Sequence, residues 1–441
     1  MKKIGDGVFE AWVSAEEPIE ETRYKYRFYT DSGCFTEPDP YAVYSQFGND
    51  DASIVYFGGY EWGDGDWMKR RRIECVREKP LNIYEIHLGS WRTRDGRSYG
   101  GSDSSLNYKD IAPQLVGYAS DMGYTHVCLL NAVEKRSPFS PTAKHGRPDE
   151  FKLFVDTLHR SGIGVILELE GEICRDYWTE EFHVDGFFVN EKELFLLGES
   201  FLIDCNWRRT VMDYLEYDVK HKKYKYAAIN RALTEDFEKA RVLSVLHSDV
   251  SGGKGTLFEK MQGDFEEKFA RLRLFYGFMM LHPGKKMTFM GCELGEKKEW
   301  SEDEPVEWFL LDCEANAGFK RFVRDANRIY LQTKALWDKD FSWKHFEWIS
   351  PLTPENDVMM FSRSSSDGDT IIAILNFGND ERRLPLDRDF DVLLNSDIAE
   401  YGGKGRELVR EDGINISPLS AVVIKKKTAF FEKTIDYSTD V

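Results

Sequence analysis

The residues able to do chemistry fall in four strings. FHVDGFFVNEKELF (182–195) reads as a buried strand tipped by Asn190, at a place where many barrel enzymes carry a catalytic carboxylate. LHSDV brings His247, Ser248 and Asp249 to the end of another strand, LLGES supplies Glu199, and IYEIHLGSW supplies His87. Carboxylates so placed serve as acid, base or nucleophile, and imidazoles bind or move protons. An amide at Asn190 is close to a carboxylate in shape, yet it is uncharged and a far poorer nucleophile. No spacing makes a pair of Glu199 and Asp204. SGGKGT (251–256) lacks the GxxxxGK[ST] pattern of a phosphate loop. No His/Cys/carboxylate cluster has metal spacing, so neither a metal nor a cofactor is expected.

The elements that must carry these strings alternate. Residues 1–81 are β-rich, in VFEAWV, YKYRFY and SIVYF. From residue 82 strands and helices follow one another: IYEIHLGS, then YKDIAPQLVGYASDMG; THVCLLNAV, then PDEFKLFVDTLHRSG; GVILELE; VDGFFVN; ARVLSVLHS; FEEKFARLRLFYGFMMLH; KMTFMG; GFKRFVRDANRIYLQT. Such alternation predicts a parallel sheet, and the number of repeats predicts a (β/α)8 barrel over 82–333. The rhythm breaks in the middle. Thirteen residues separate GVILELE from VDGFFVN, and three separate VDGFFVN from LFLLGE. A parallel crossover takes a dozen or more, so the third crossover is minimal, the fourth helix is missing, and the barrel is degenerate. The apolar wall so exposed invites a protein partner or a second copy of the chain. Residues 334–426 predict an antiparallel β-sandwich with an Asp-Gly hairpin in SSSDGDT; 427–441 reads as a tail.

Composition narrows the partners. The 441 residues carry a formal charge of −18, which disfavours nucleic acid and anionic membranes. A neutral polymer is not penalised. The seven cysteines stand singly, without a CxxC pair, which predicts reduced thiols and a cytoplasmic protein. No signal-like or membrane-spanning apolar run is present in the sequence. KHKKYKYAA (220–228) is a basic island, read as a solvated helix face.

The order of these pieces resembles glycogen (α-1,4-glucan) branching enzymes of glycoside hydrolase family 13. The strings that carry the resemblance span most of the chain: DPYA, ASIVY, GYEW and DWM before the barrel; IYEIHLGSW, MGYTHVCLL, HGRPDEFKLFVDTLHRSGIGVIL and FHVDG within it; GKGTLFEKMQGD and HPGKKMTFMGCELG at its end; LNSDIAEYGG and SPLSAVVI beyond. The resemblance implies a barrel flanked by an N-terminal β-sandwich remnant of the starch-binding type and a C-terminal β-sandwich. It also implies an α-glucan or maltooligosaccharide ligand.

The active-site strings depart from the family. Its fourth strand ends on Arg, one residue, then the Asp nucleophile; here these are Phe188 and Asn190. Its third strand runs into Asp with His five residues on; here these are Glu168 and Ile173. Its seventh strand ends in His-Asp; here it is His247-Ser248. Glu199 is the one candidate remnant of the general acid. Asp185 belongs to the family's Asp-Gly pair and reads as structural. A retaining glycosidase needs two carboxyl groups roughly 5–5.5 Å apart, and loss of a nucleophile costs roughly 10⁶-fold in rate. The expectation is therefore a branching-enzyme homologue without branching activity, with His87, Asn190 and His247 as carbohydrate contacts. Two alternatives are an interaction scaffold that no longer holds sugar and an enzyme with rebuilt, weak glycosyl chemistry.

Overall fold

The computed structural model describes residues 1–427 apart from 15, 49–51, 95–105, 170–174, 217–224, 236, 386–388 and 411–412. Eight strands close a barrel: β1 (Asn82–Ile86), β2 (His126–Leu129), β3 (Gly164–Leu169), β4 (Gly186–Val189), β5 (Glu193–Leu196), β6 (Glu199–Asp204), β7 (Arg241–Val245) and β8 (Lys285–Phe289). They stand in chain order around the ring. Helices α1 (Tyr108–Met122) and α2 (Pro148–Arg160) follow β1 and β2 in the ordinary way. Asn107 caps α1 by accepting from Asp110 N–H at 2.8 Å, Gly123 ends it at φ 75°, and Pro148 opens α2.

The middle of the barrel corrects the parallel reading. β5 runs antiparallel to both β4 and β6, whereas every other neighbour in the ring is parallel. A seven-residue helix, α3 (Arg175–Glu181), makes the β3–β4 crossover. Two hairpin turns then replace the crossovers on either side of β5. The cause is linker length: two or three residues cannot return a chain to the start of a parallel strand, but they can reverse it. In the first turn Asn190 and Glu191 have φ 50° and 53°, and Lys192 N–H donates to the Val189 carbonyl at 3.0 Å. In the second, Leu197 and Gly198 have φ 49° and 83°. Paired positive φ values are the signature of turns that match strand twist, and Asn and Gly adopt them at least cost. Gly186 is required for another reason, since a Cβ there would sit 2.5 Å from the Phe195 carbonyl oxygen.

Side chains on β4–β6 alternate. Phe188, Leu194, Leu196, Phe201 and Ile203 point inward and join Ile83, Ile166, Val242 and Met287 in the barrel interior. The outward positions include Glu193 and Ser200, both exposed, and Phe195, whose ring lies under the Arg175 guanidinium at 4.0 Å. Leu202 is 44% exposed. The outer face of the wall without helices is mixed, with Phe187, Val189, Phe195 and Leu202 beside Glu193 and Ser200.

Beyond the hairpins come α4 (Cys205–Glu216), α5 (Tyr226–Thr234), α6 (Phe265–Leu281) and α7 (Glu314–Gln332). Residues 220–224 of the basic string lie outside the described residues. The C-terminal part is a five-stranded antiparallel sheet, β9 (Phe346–Ser350), β10 (Val358–Ser364), β11 (Thr370–Asn376), β12 (Phe390–Asn395) and β13 (Ser420–Lys426), in the order β9-β10-β11-β13-β12. A three-stranded sheet of Arg382–Leu384, Gly413–Ile416 and Val409–Arg410 faces it across a core of Ile372, Ile374, Ile414, Ile416, Val422 and Ile424. The Asp-Gly hairpin joins β10 to β11, with Gly368 at φ 89°.

Residues 1–81 form three separate two-stranded ladders with mostly exposed side chains, then the helix Gly65–Arg71. That helix is tied to the floor of the barrel. Arg71 and Trp67 both donate to Asp185 Oδ1, at 3.0 and 2.9 Å, while His159 bridges Asp185 Oδ2 (2.9 Å) and Asp64 Oδ2 (2.8 Å). Asp185 is the structural residue its Asp-Gly context suggests. Among the described residues no helix is long and apolar enough to cross a membrane.

Candidate functional site at the barrel mouth

The C-terminal ends of the parallel strands open on a cleft of ≈ 730 Å³ lined by Asn131, Lys135, Glu168, Asn190, Glu191, Cys205, His247 and Trp300, among others. The β1 strand contributes Glu85, which is fully buried below it. His247 is the hub. Its Nδ1 lies 2.9 Å from Glu85 Oε1, its backbone N–H donates to Glu85 Oε2 at 2.9 Å, and its Nε2 lies 3.5 Å from Glu191 Oε1. Ser248 Oγ donates to the other oxygen of Glu191 at 2.6 Å. Burial alone would lower the His247 pKa. The hydrogen bond and charge of Glu85, then the charges of Glu168 and Glu191, outweigh burial and push it up to about 9. At neutral pH the hub is an imidazolium held among three carboxylates.

Each residue singled out in the sequence has a definite place. Asn190 stands exposed at the rim, as the first left-handed residue of its turn. Phe188 is wholly buried in the barrel interior, an apolar plug beneath the cleft. His87 is buried, its Nδ1 lies 2.8 Å from Ser90 Oγ, and burial followed by the nearby charges of Lys144, His145 and His247 pushes it down to about 3. It is a neutral imidazole. The segment His247–Asp249 is a 3-10 turn, not a continuing strand. Asp249 is thereby turned to Arg208, at 2.6 Å, and accepts from Leu246 N–H at 2.7 Å. Ile173 lies outside the described residues.

Glu199 requires correction. It begins β6, so its carboxylate lies at the N-terminal end of the barrel, paired with Arg77 at 2.6 Å and near Cys75 Sγ at 3.4 Å. The hairpin that reverses β5 puts it at the floor, the full strand length away from Asn190 and His247. Asp204, at the other end of β6, pairs with Arg241 at 3.2 Å and caps Trp207 N–H at 2.9 Å.

Sequence reasoning missed Glu85 and Glu191. Glu85 sits inside a strand string and shows no separate signal. Glu191 had one: a three-residue spacer between two strands makes a hairpin, and a hairpin aims the residue after Asn190 back over the mouth. Among the described residues no group of three or more His, Cys, Asp or Glu side chains is arranged to hold a metal ion. The mouth can hydrogen-bond hydroxyl groups from several sides, and Trp300, 5.7 Å from both the His87 and His247 rings, gives it an aromatic wall.

With that geometry in hand, known proteins resolve its ancestry. Residues 348–427 match the "Alpha amylase, C-terminal all-beta domain" family. The chain is 29% identical to the 1,4-alpha-glucan branching enzyme GlgB of Bacillus caldolyticus, over 92% of this chain and 78% of that enzyme. It is 29% identical to the Bacillus subtilis (strain 168) enzyme of the same name, over 94% and 82%. The chain is thus branching-enzyme-like over nearly all of its length. Solved structures with the same fold include the GBS pullulanase SAP in complex with maltotetraose (TM-score 0.70, 13% identity, 92% of this chain and 79% of that one). A putative alpha amylase from Salmonella typhimurium superposes with a TM-score of 0.65 at 14% identity, over 91% and 90%.

Proposed function

We propose that this chain is a cytoplasmic α-glucan-binding homologue of branching enzymes that no longer transfers glucan chains. The observation that carries the reading is the conformation of Asn190. The family's nucleophile position is here the first left-handed residue of a hairpin turn, with φ 50°, and the residue chosen is the one that such turns favour. A conformational demand, met by an amide, has replaced a chemical one. Phe188 fills the position of the positioning cation, Ser248 that of the transition-state carboxylate, and Glu199 is out of reach. The open mouth, its carboxylates and Trp300 favour continued binding of a neutral sugar chain, and relatives of the same fold hold maltotetraose.

Two measurements test this. Calorimetric titration with maltoheptaose should give binding at millimolar sugar or below, and no heat at that concentration rejects glucan binding. Incubation with amylose should give no new α-1,6 linkages, and their appearance in purified material rejects the loss of transfer.

A second reading has one observation in its favour. Glu191 is an ionisable oxygen at the rim, held by Ser248 and His247, so the mouth is not bare of carboxylate. If it supports weak hydrolysis, Glu191→Gln removes all maltooligosaccharide cleavage measured at high protein concentration.

A further inference from the structure

A second cavity of ≈ 380 Å³ adjoins the mouth and shares Asn131, Lys135 and Glu302 with it. Its floor holds His87 and its wall holds Lys144. The Lys144 ammonium is half-buried and seated where Gly89 has no side chain: a Cβ on Gly89 would lie 2.7 Å from Lys144 Nζ and 3.0 Å from His87 Cε1. Among the described residues neither Lys135 nor Lys144 has an ion-pair partner. The two acids of the cavity each accept a hydrogen bond from another group. Glu134 accepts from Ala143 N–H at 3.0 Å, and Glu302 accepts from Asn131 Nδ2 at 2.9 Å. In a chain of net charge −18, two ammonium groups without an ion-pair partner beside one cavity are a departure that needs a reason. The neighbouring His87 is kept uncharged, so it adds a neutral hydrogen-bonding edge beside the cation.

We propose that this cavity is an anion subsite that takes the phosphate monoester of a phosphorylated glucose unit, with Lys144 as its principal contact and Lys135 bridging it to the mouth. The proposal rests on the glucan reading in one respect, since the sugar carrying the phosphate would lie toward the mouth. An ammonium–phosphate hydrogen bond in a half-buried setting contributes about 1.5–3 kcal/mol, which corresponds to roughly 10–100-fold in affinity. Binding should weaken as salt rises, because the attraction is screened.

Calorimetry with glucose 6-phosphate, glucose, inorganic phosphate and maltoheptaose tests it on the full chain. Glucose 6-phosphate should bind at least about tenfold more tightly than either glucose or inorganic phosphate. Lys144→Gln should cost roughly 10–100-fold for glucose 6-phosphate and leave maltoheptaose unchanged. Gly89→Ala keeps every charge but puts a methyl group where the ammonium rests, and it too should weaken the phosphosugar alone. Equal binding of glucose and glucose 6-phosphate overturns the proposal, as does indifference to both substitutions. If inorganic phosphate binds as tightly as the phosphosugar, the assignment to a sugar ester is overturned. Failure of maltoheptaose to bind, with phosphosugar binding intact and Lys144-dependent, would instead sink the glucan reading and leave the anion subsite standing.

Discussion

Ser248 Oγ donates a 2.6 Å hydrogen bond to Glu191 Oε2, joining the turn after β4 to the turn after β7 across the barrel mouth. The other Glu191 oxygen lies 3.5 Å from His247 Nε2. The serine thus anchors a glutamate at the barrel rim.

Glu191→Gln should loosen this link. The amide keeps a hydrogen bond to Ser248 but removes one of the three negative charges that hold the His247 proton. The His247 titration midpoint, followed by NMR of the ring protons, should fall from about 9 in the unmodified protein. An unchanged midpoint would mean that Glu85 and Glu168 alone set it.

The hub also gives stability a pH dependence. His247 binds its proton more tightly when folded than at the ordinary histidine value of 6.5. Its contribution is therefore fully present below pH 6.5 and is lost as pH rises toward 9, on the order of 3 kcal/mol in all. Unfolding free energies from urea titrations should show this decline in the unmodified protein, and a shallower one in His247→Asn. Parallel pH profiles for the two would show that other groups carry the slope.

Asn190 should behave as a turn residue. With φ at 50°, Asn190→Ala should destabilise by about 1 kcal/mol, whereas Asn190→Gly should be neutral or mildly stabilising. Asn190→Asp, which restores the family's carboxylate, should still yield no branching in an amylose assay, because neither the arginine nor the general acid is in place.

At the barrel floor, Asp185 accepts from Arg71, Trp67 and the Val165 backbone and pairs with His159. Asp185→Asn leaves buried cationic groups partly uncompensated and should cost about 3–5 kcal/mol, measured by chemical denaturation. Burial raises the Asp185 carboxyl, but the charge and hydrogen bond of His159, then the charges of Arg71 and His126, hold it below its ordinary value of 3.8. Its contribution is present above that pH and lost as acid is added below it.

Sequence alone determined the resemblance to branching enzymes and most of the scaffold. Period and punctuation mark α1, α2, α6 and the β10–β11 hairpin, because these are written in neighbouring residues: a cap, a glycine, an apolar stripe. Only the tertiary structure decided the direction of β5, and everything that follows from it. Strand direction is set by what a short linker can span, so one reversal sends Glu199 to the floor, turns Asn190 into a turn residue and lifts Glu191 over the mouth. The partnership of Glu85 with His247 was likewise invisible, since 162 residues separate them in the chain and only ring closure brings them to 2.9 Å.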